Sequence, residues 1–334
     1  MQGLVGSELT DVGMVADRLL AVQAQDGRGA RLAIRPRLTA GADDVGASVV
    51  DAGLDDGSLV INWLNRGTLH LVRAEDHGWL HVLTAPRQIR SNQTRLRQEG
   101  VSERQADQGV DLIVKRLGEG PAIRSELRDL LESAGIPVAG QAIVHILFFA
   151  SLQGLILRGP TVGNEHAFAL VEDWLGVAPA VDTEAAAAEL ARRYLAGHGP
   201  ATDRDLAKWA GVTLGVARRG LKAIADELVE ADGMVDLKGR ADPGGDAPVR
   251  LLGSFDPILH GWESREWVIP DHEVRQVVTT NGVFRPTILA GNRIVGTWTL
   301  SSGKLELNPF GKLDRQTTSS LDAEAERVVS YLSL

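Results

Sequence analysis

Gln23 and Gln25, separated by Ala24 and followed by Asp26, Gly27, Arg28, Gly29 and Arg31, are the residues whose types and spacing most invite chemistry. In extended backbone, residues i and i+2 project to the same side, so the two amides would face one site together. In an unbroken helix they would diverge by about 200°. The pairing therefore requires a helix end, and Gly27 and Gly29 supply a break. A neutral amide is a weak base, yet it offers both donor and acceptor and can hold a water beside a polar substrate atom. Two glutamines at a helix end are ordinarily just solvated, so the motif alone decides nothing.

Three further groups of residues stand out. Arg66-Gly67-Thr68-Leu69-His70 reads as a hairpin tip running into a strand, where an arginine and a glycine suit phosphate contact. The plainer reading is a turn glycine with a hydrogen-bonded strand histidine. His77 and His81 lie one helical turn apart, a spacing that can hold a metal. Without cysteines or an HExxH signature they read instead as surface or capping histidines, so no metal and no cofactor are expected. Asp256-Pro257 reads first as a turn start, with a functional role for the acid left open. No Walker loop, GxSxG elbow, dinucleotide fingerprint or kinase signature is present. Trp63 and Trp79 are the only aromatic rings of the Phe, Tyr and Trp type in residues 1–147. A pocket that stacks a flipped base is hard to build from them, leaving recognition to shape and charge.

The chain that must position these residues has 334 residues, with 44% hydrophobic and 24% charged content, ordinary for a globular protein of two or more domains. It has no cysteine, which excludes disulfides, thiolate metal sites and cysteine nucleophiles. With neither an apolar run of about 18 residues nor a signal-peptide pattern, a cytoplasmic protein without membrane contact is expected. The net charge of −9 disfavours nucleic acid at face value, but charge distribution matters more than the sum. Residues 27–40 hold Arg28, Arg31, Arg35 and Arg37 with no acid, and residues 60–97 are also arginine-rich. The 29 arginines against 6 lysines equally fit a GC-rich genome, so their abundance alone proves little.

Apolar periodicity predicts helices at 8–22, 28–38 and 42–53, then strands at 59–63 and 68–72. On the second helix Arg28, Arg31 and Arg35 share one face. Three helices and a hairpin are the order of a winged helix-turn-helix. The order recurs at 104–117, 124–134 and 140–153 with strands at 155–158 and 166–170. It recurs again at 184–197, 202–210 and 213–226 with strands at 227–230 and 234–237. A repeat of very roughly 80–90 residues is the pattern of tandem units. Residues 239–248 read as a linker, and short strands at 249–252, 267–269, 283–289, 293–300 and 304–307 precede a helix at 322–332. The expected fold is α+β: winged units at 1–98, 99–180 and 181–240 and a C-terminal β-domain at 249–334.

The runs Leu20-Ala21-Val22-Gln23-Ala24-Gln25-Asp26 and Arg66-Gly67-Thr68-Leu69-His70-Leu71-Val72 together resemble the AlkZ-type winged-helix DNA glycosylases. So do Phe255-Asp256, Gly282-Val283-Phe284-Arg285-Pro286-Thr287 and Val295-Gly296-Thr297-Trp298. The segments occur in the family's order from residue 8 to about 310. The resemblance implies three tandem winged helices and a β-domain around a concave DNA-binding surface. It implies excision of alkylated bases, including bulky N7-guanine adducts and interstrand crosslinks left by genotoxic natural products. It maps the catalytic amides onto Gln23 and Gln25, within the QxQ branch associated with producer self-resistance.

The implied chemistry is coherent. An N7-alkylated guanine already carries positive charge and departs without a strong general acid. A held amide can orient water at C1′ and offer partial negative charge to an oxocarbenium-like sugar. On this reading a monomer acts on double-stranded DNA carrying alkylated guanine, with Arg28, Arg31, Arg35, Arg66, Thr68 and His70 along the DNA path. Asp26 has no assigned role. A winged-helix transcription regulator without chemistry is the alternative, and a non-DNA enzyme or scaffold that reuses the fold is a third.

Overall fold

The chain enters α1 (Val12–Leu19) through Asp11, whose carboxylate accepts the Met14 N–H and so satisfies a donor that the helix start leaves open. In this computed structural model residues 2–39, 45–163, 165–177, 179–241 and 244–333 are described. Leu20, at φ 62°, turns the chain out of the helix, and Val22–Gln23 forms β1. Asp26 then caps α2 (Gly27–Ile34), accepting the N–H groups of Arg28 at 3.0 Å and Gly29 at 3.2 Å. A 3-10 turn at Arg35–Arg37, carrying Pro36, ends it. After α3 (Ser48–Asp55) come β2 (Leu59–Trp63) and β3 (Leu69–Arg73). Residues 42–44 of the helix expected there lie outside the described residues.

Two helices follow that the periodicity does not single out, α4 (Ala74–Thr84) and α5 (Pro86–Gln98). Among large apolar residues α5 carries only Ile89 and Leu96, too few to draw a stripe. Then come α6 (Glu103–Leu117), α7 (Arg124–Ser133), α8 (Ala142–Leu152), β4 (Ile156–Val162), β5 (Glu165–Leu170) and the short α9 (Val171–Leu175). The third series is α10 (Thr183–His198), α11 (Asp203–Ala210) and α12 (Leu214–Ala223), with β6 (Leu228–Ala231) and β7 (Met234–Leu237). A final stretch holds β8 (Arg250–Leu252), α13 (Val274–Val277), β9 (Thr287–Ala290), β10 (Arg293–Ser301), β11 (Lys304–Pro309) and α14 (Arg315–Ser333). Residues 267–269, expected as a strand, are a turn in which the N–H groups of the buried Val268 and Ile269 both donate to the Arg265 carbonyl, while Trp267 is exposed.

The first two hairpins do not stand apart. They join β1 in one five-stranded sheet of order β1-β3-β2-β4-β5, the hairpins meeting where Ile61 pairs with Arg158. This covers the free edge that an isolated hairpin would expose. The β6–β7 hairpin remains a two-stranded sheet, and β11-β10-β9-β8 form a third sheet near the C-terminus.

The C-terminal unit is held to α2 by close backbone approach and by buried charge. A Cβ on Gly29 would lie 2.4 Å from the Ser254 carbonyl oxygen, so only glycine fits there. Arg37 and Asp256, both 0% exposed at the side chain, form a two-pronged ion pair at 2.7 and 2.9 Å. Arg37 also donates to the Ala33 and Gln2 carbonyls, which leaves the pair well satisfied.

Candidate active site

The amide pair owes its geometry to β1. Gln23 lies opposite His70 of β3, and the Ala24 N–H donates to the Leu69 carbonyl at 2.7 Å. The backbone is still extended at Asp26, at φ −109° and ψ 110°, so Gln23 and Gln25 project to one side. Gln23 Nε2 donates to Gln25 Oε1 at 2.7 Å. Gln23 is only 6% exposed whereas Gln25 is open to solvent. The pair thus runs from the interior outward.

Arg66 fixes which way round the amides sit. Its Nη2 donates to Gln23 Oε1 at 3.1 Å, and its Nη1 donates to the Trp209 carbonyl. A guanidinium has donors only, so Gln23 must turn its oxygen inward and its NH2 toward Gln25. Gln25 then accepts from Gln23, which leaves its own NH2 and one lone pair of Oε1 to face solvent. Arg66 reaches this place because the hairpin tip is docked. A Cβ on Gly211, between α11 and α12, would lie 2.5 Å from the Arg66 backbone nitrogen.

Burial tunes the charges behind the pair. Among the described residues no carboxylate pairs with Arg66; burial, with Arg265 adding repulsion, brings its pKa down to about 10. It is still a cation at neutral pH. His70 is 1% exposed, and burial first, then Arg66, pushes its pKa down to about 3. The ring is therefore neutral and engages the Thr68 carbonyl through Nδ1 at 2.8 Å. Burial lowers His198 to about 3 and pushes His260 well below its ordinary value, with Arg66 contributing to both.

The structure brings Gln23, Gln25 and Arg66 together and distributes the other expected residues differently. His70 is interior and cannot line a DNA path, because only 1% of it is exposed. Thr68 closes the turn, donating to the Asn65 carbonyl at 3.1 Å. Arg31 is ion-paired with Asp51, and Arg35 with the fully buried Glu324, so neither offers a free guanidinium. Arg28 is exposed and donates to the Leu300 carbonyl at 3.2 Å. Asp26 is the helix cap, and Asp256 both starts a 3-10 turn and neutralises Arg37. His77 and His81 are not surface residues. Asn62 holds His77 Nε2 at 2.7 Å, and His81 Nε2 meets the Ser151 carbonyl at 2.8 Å. The contributions of Trp209, Gly211 and Arg265 carry no local signal in the sequence, since all three come from remote segments.

A sequence model of a family described as DNA glycosylase AlkZ-like matches residues 16–331. The chain belongs to this family. It is 28% identical to the interstrand DNA cross-link repair glycosylase of Streptomyces sahachiroi, over 94% of this chain and 89% of that protein. The solved structure of the Streptomyces sahachiroi DNA glycosylase AlkZ matches with a TM-score of 0.82 at 25% identity, covering 99% of this chain and 93% of that one. The protein is thus a DNA glycosylase with a mixed α and β fold, an enzyme of DNA repair that takes DNA as its substrate. A regulator without chemistry is set aside. Among the described residues no helix is long and apolar enough to cross a membrane.

Proposed function

We propose that this glycosylase excises bulky or crosslinked N7-alkylguanine from double-stranded DNA by monofunctional hydrolysis, with Gln23 and Gln25 as the catalytic pair. The observation that carries the reading is the directed chain from Arg66 through Gln23 to Gln25, which ends in an uncommitted NH2 and lone pair at the solvent side. That end can accept a proton of one water while donating to a sugar or base oxygen. In the reaction a water oxygen bonds to C1′ as the C1′–N9 bond breaks. The bond's electron pair neutralises the cationic purine, and the water's proton passes to solvent. The amides supply position and partial charge, enough for a leaving group that is already cationic. Undamaged purines, which need protonation to leave, are spared.

Arg28, exposed two residues beyond Asp26, belongs to the DNA path on this reading. So does a winged-helix division at 1–98, 99–180, 181–240 and 249–334, with the first two units sharing a sheet. The protein acts as a cytoplasmic monomer in self-resistance to a genotoxic natural product. The relative from Streptomyces sahachiroi, named for interstrand cross-link repair, supports crosslinks as substrates.

The test is a duplex with a single N7-alkylguanine, treated with protein and then alkali, and scored for strand cleavage at the abasic site. Gln23→Ala and Gln25→Ala are each expected to lose about 10²–10³-fold in single-turnover rate, as for removal of one polar group that stabilises a transition state. No cleavage by the wild type on several cationic adducts would overturn the substrate assignment.

A further inference from the structure

Two guanidiniums stand behind the inner end of the amide pair, and among the described residues no carboxylate joins them. Arg66 is the first, committed to Gln23 Oε1 and the Trp209 carbonyl. Arg265, from the C-terminal stretch, is the second. One helix, α11, holds both in place. Arg66 bonds to the carbonyl of its Trp209, while the chain just before Arg265 is tied to its Asp205 and Lys208. The Glu263 N–H donates to Asp205 Oδ1 at 2.7 Å, and Lys208 Nζ donates to the Glu263 carbonyl at 3.2 Å. Ring contacts continue the joint, since His198 lies 5.0 Å from Trp209 and 5.5 Å from Trp262. Phe284, from the run Gly282–Thr287, then sets the side chain: the Arg265 guanidinium carbon lies 5.2 Å from its ring centre.

Arg265 is half-buried; its Nε donates to the Leu259 carbonyl at 2.8 Å, and its two Nη groups are uncommitted. Glu263 and Glu266, beside it in the chain, are exposed and do not pair with it. Burial lowers its pKa with no carboxylate drawing it back, and Arg265 in turn repels Arg66. Like charges held together in a partly desolvated place are unfavourable, and the Phe284 face offsets this only in part. The other end of the pair differs. Asp26 follows Gln25, and its Oδ2 accepts no hydrogen bond, since the Arg28 and Gly29 N–H groups both go to Oδ1. The Arg28 side chain is turned to the Leu300 carbonyl. The amides thus lie between a carboxylate and two guanidiniums without a counter-charge.

That polarity matches the charge movement of the reaction. As the C1′–N9 bond breaks, its electron pair enters the purine, which passes from cation to neutral. The positive charge moves to C1′ and O4′ until a water oxygen bonds at C1′ and the water's proton leaves to solvent. A fixed cation beside the purine opposes the bound lesion more than the departing base, which lowers the barrier. We propose that the lesion's purine lies on the Arg66 side of the amide pair, next to Arg265, and its sugar on the Asp26 side, with the Arg265 charge speeding departure of the cationic base. This rests on the proposed reaction at Gln23 and Gln25. A unit charge moving from about 5 to about 8 Å from a guanidinium, at an effective dielectric of about 20, changes the rate roughly tenfold.

The experiment uses the full chain and single-turnover base release at saturating protein from a duplex with one N7-methylguanine. Arg265→Gln is expected to be about tenfold slower, and Arg265→Lys, which keeps the charge, to recover most of the loss. Arg265→Met, which keeps the contact with Phe284 and loses the charge, carries the test should Arg265→Gln fail to fold. Binding is read separately on a lesion duplex made inert by fluorine at the sugar 2′ position, against the same duplex without the lesion. Relieved of repulsion, the neutral variants are expected to prefer the lesion duplex several-fold more than the wild type does, although they are slower. A residue that only held the fold would not move the two readouts in opposite directions. An unslowed neutral variant overturns the proposal, and so does an equal loss in Arg265→Lys. Weaker binding to both duplexes alike, with a salt slope lower by about 0.9 and an unchanged saturating rate, overturns it by making Arg265 a phosphate contact. If the wild type releases no base, the reaction at the amides fails, while an unchanged lesion preference in the neutral variants separately overturns the placement of the purine.

Discussion

Arg66→Gly isolates the guanidinium that orients the amide pair. Arg66 sits at φ 58° and ψ 11°, a left-handed conformation that costs a side-chain-bearing residue about 1–2 kcal/mol and glycine almost nothing. The substitution therefore relieves backbone strain while deleting the donors to Gln23 Oε1 and the Trp209 carbonyl. A hydrogen bond from a charged donor contributes about 1.5–3 kcal/mol. Once it is lost, Gln23 can turn over and set its oxygen against Gln25 Oε1, which forces the second amide to turn as well. If the whole contribution is spent on orientation, the rate falls about 10–150-fold.

The assay is single-turnover base release at saturating protein, run for Arg66→Gly, Gln23→Ala and the double variant. Because Arg66 is argued to act through Gln23, the double variant should be no slower than Gln23→Ala alone, a full non-additivity. Arg66→Lys, which keeps one donor, should recover part of the rate. Multiplicative losses in the double variant, or a normal rate with weaker DNA binding, would refute the orienting role and return Arg66 to phosphate contact.

The remaining expectations concern stability and pH. Asp256→Asn leaves the Arg37 charge buried without its counter-ion, and should cost about 3–5 kcal/mol in denaturant unfolding; a loss under about 1 kcal/mol would show that the carbonyl contacts of Arg37 suffice. Burial holds His70, His77 and His198 near a pKa of about 3, so between the ordinary value of about 6.5 and 3 the unfolded chain binds protons that the folded chain does not. Stability is then full above about 6.5 and is lost as pH falls, each ring costing about 2 kcal/mol at pH 5. Urea midpoints at pH 7.5 and 5.0 test this, and equal midpoints would contradict it. Excision should meanwhile show no inflection between pH 6.5 and 8.5, since neither amide titrates and His70 stays neutral throughout.

Local pattern determined much of this protein. The amide spacing, the need for a helix end near the amides, and most helices of the second and third series follow from periodicity and turn chemistry, which act within a few residues. The break itself is made by Leu20 and not by Gly27 and Gly29, which lie inside α2 because Asp26 caps it. Asp256-Pro257 as a turn start is legible for the same reason. The resemblance of short runs to the AlkZ-type glycosylases, read in order along the chain, also pointed to the family. What sequence spacing could not show is which side chains lose water and which find partners. His70 reads either as a DNA contact or as a hydrogen-bonded strand histidine until β1 and β2 flank its strand. Arg31 and Arg35 read as part of one basic helix face, and Arg37 as part of the same acid-free stretch, until Asp51, Glu324 and Asp256 arrive from distances of 20 to 289 residues along the chain. The merging of two expected wings into one sheet depends on a single pairing across remote segments. Burial and ion pairing are properties of contacts distant in sequence, so tertiary structure alone decided that Arg66 faces an amide and that Arg158 lies against the rings of Trp63 and Phe168.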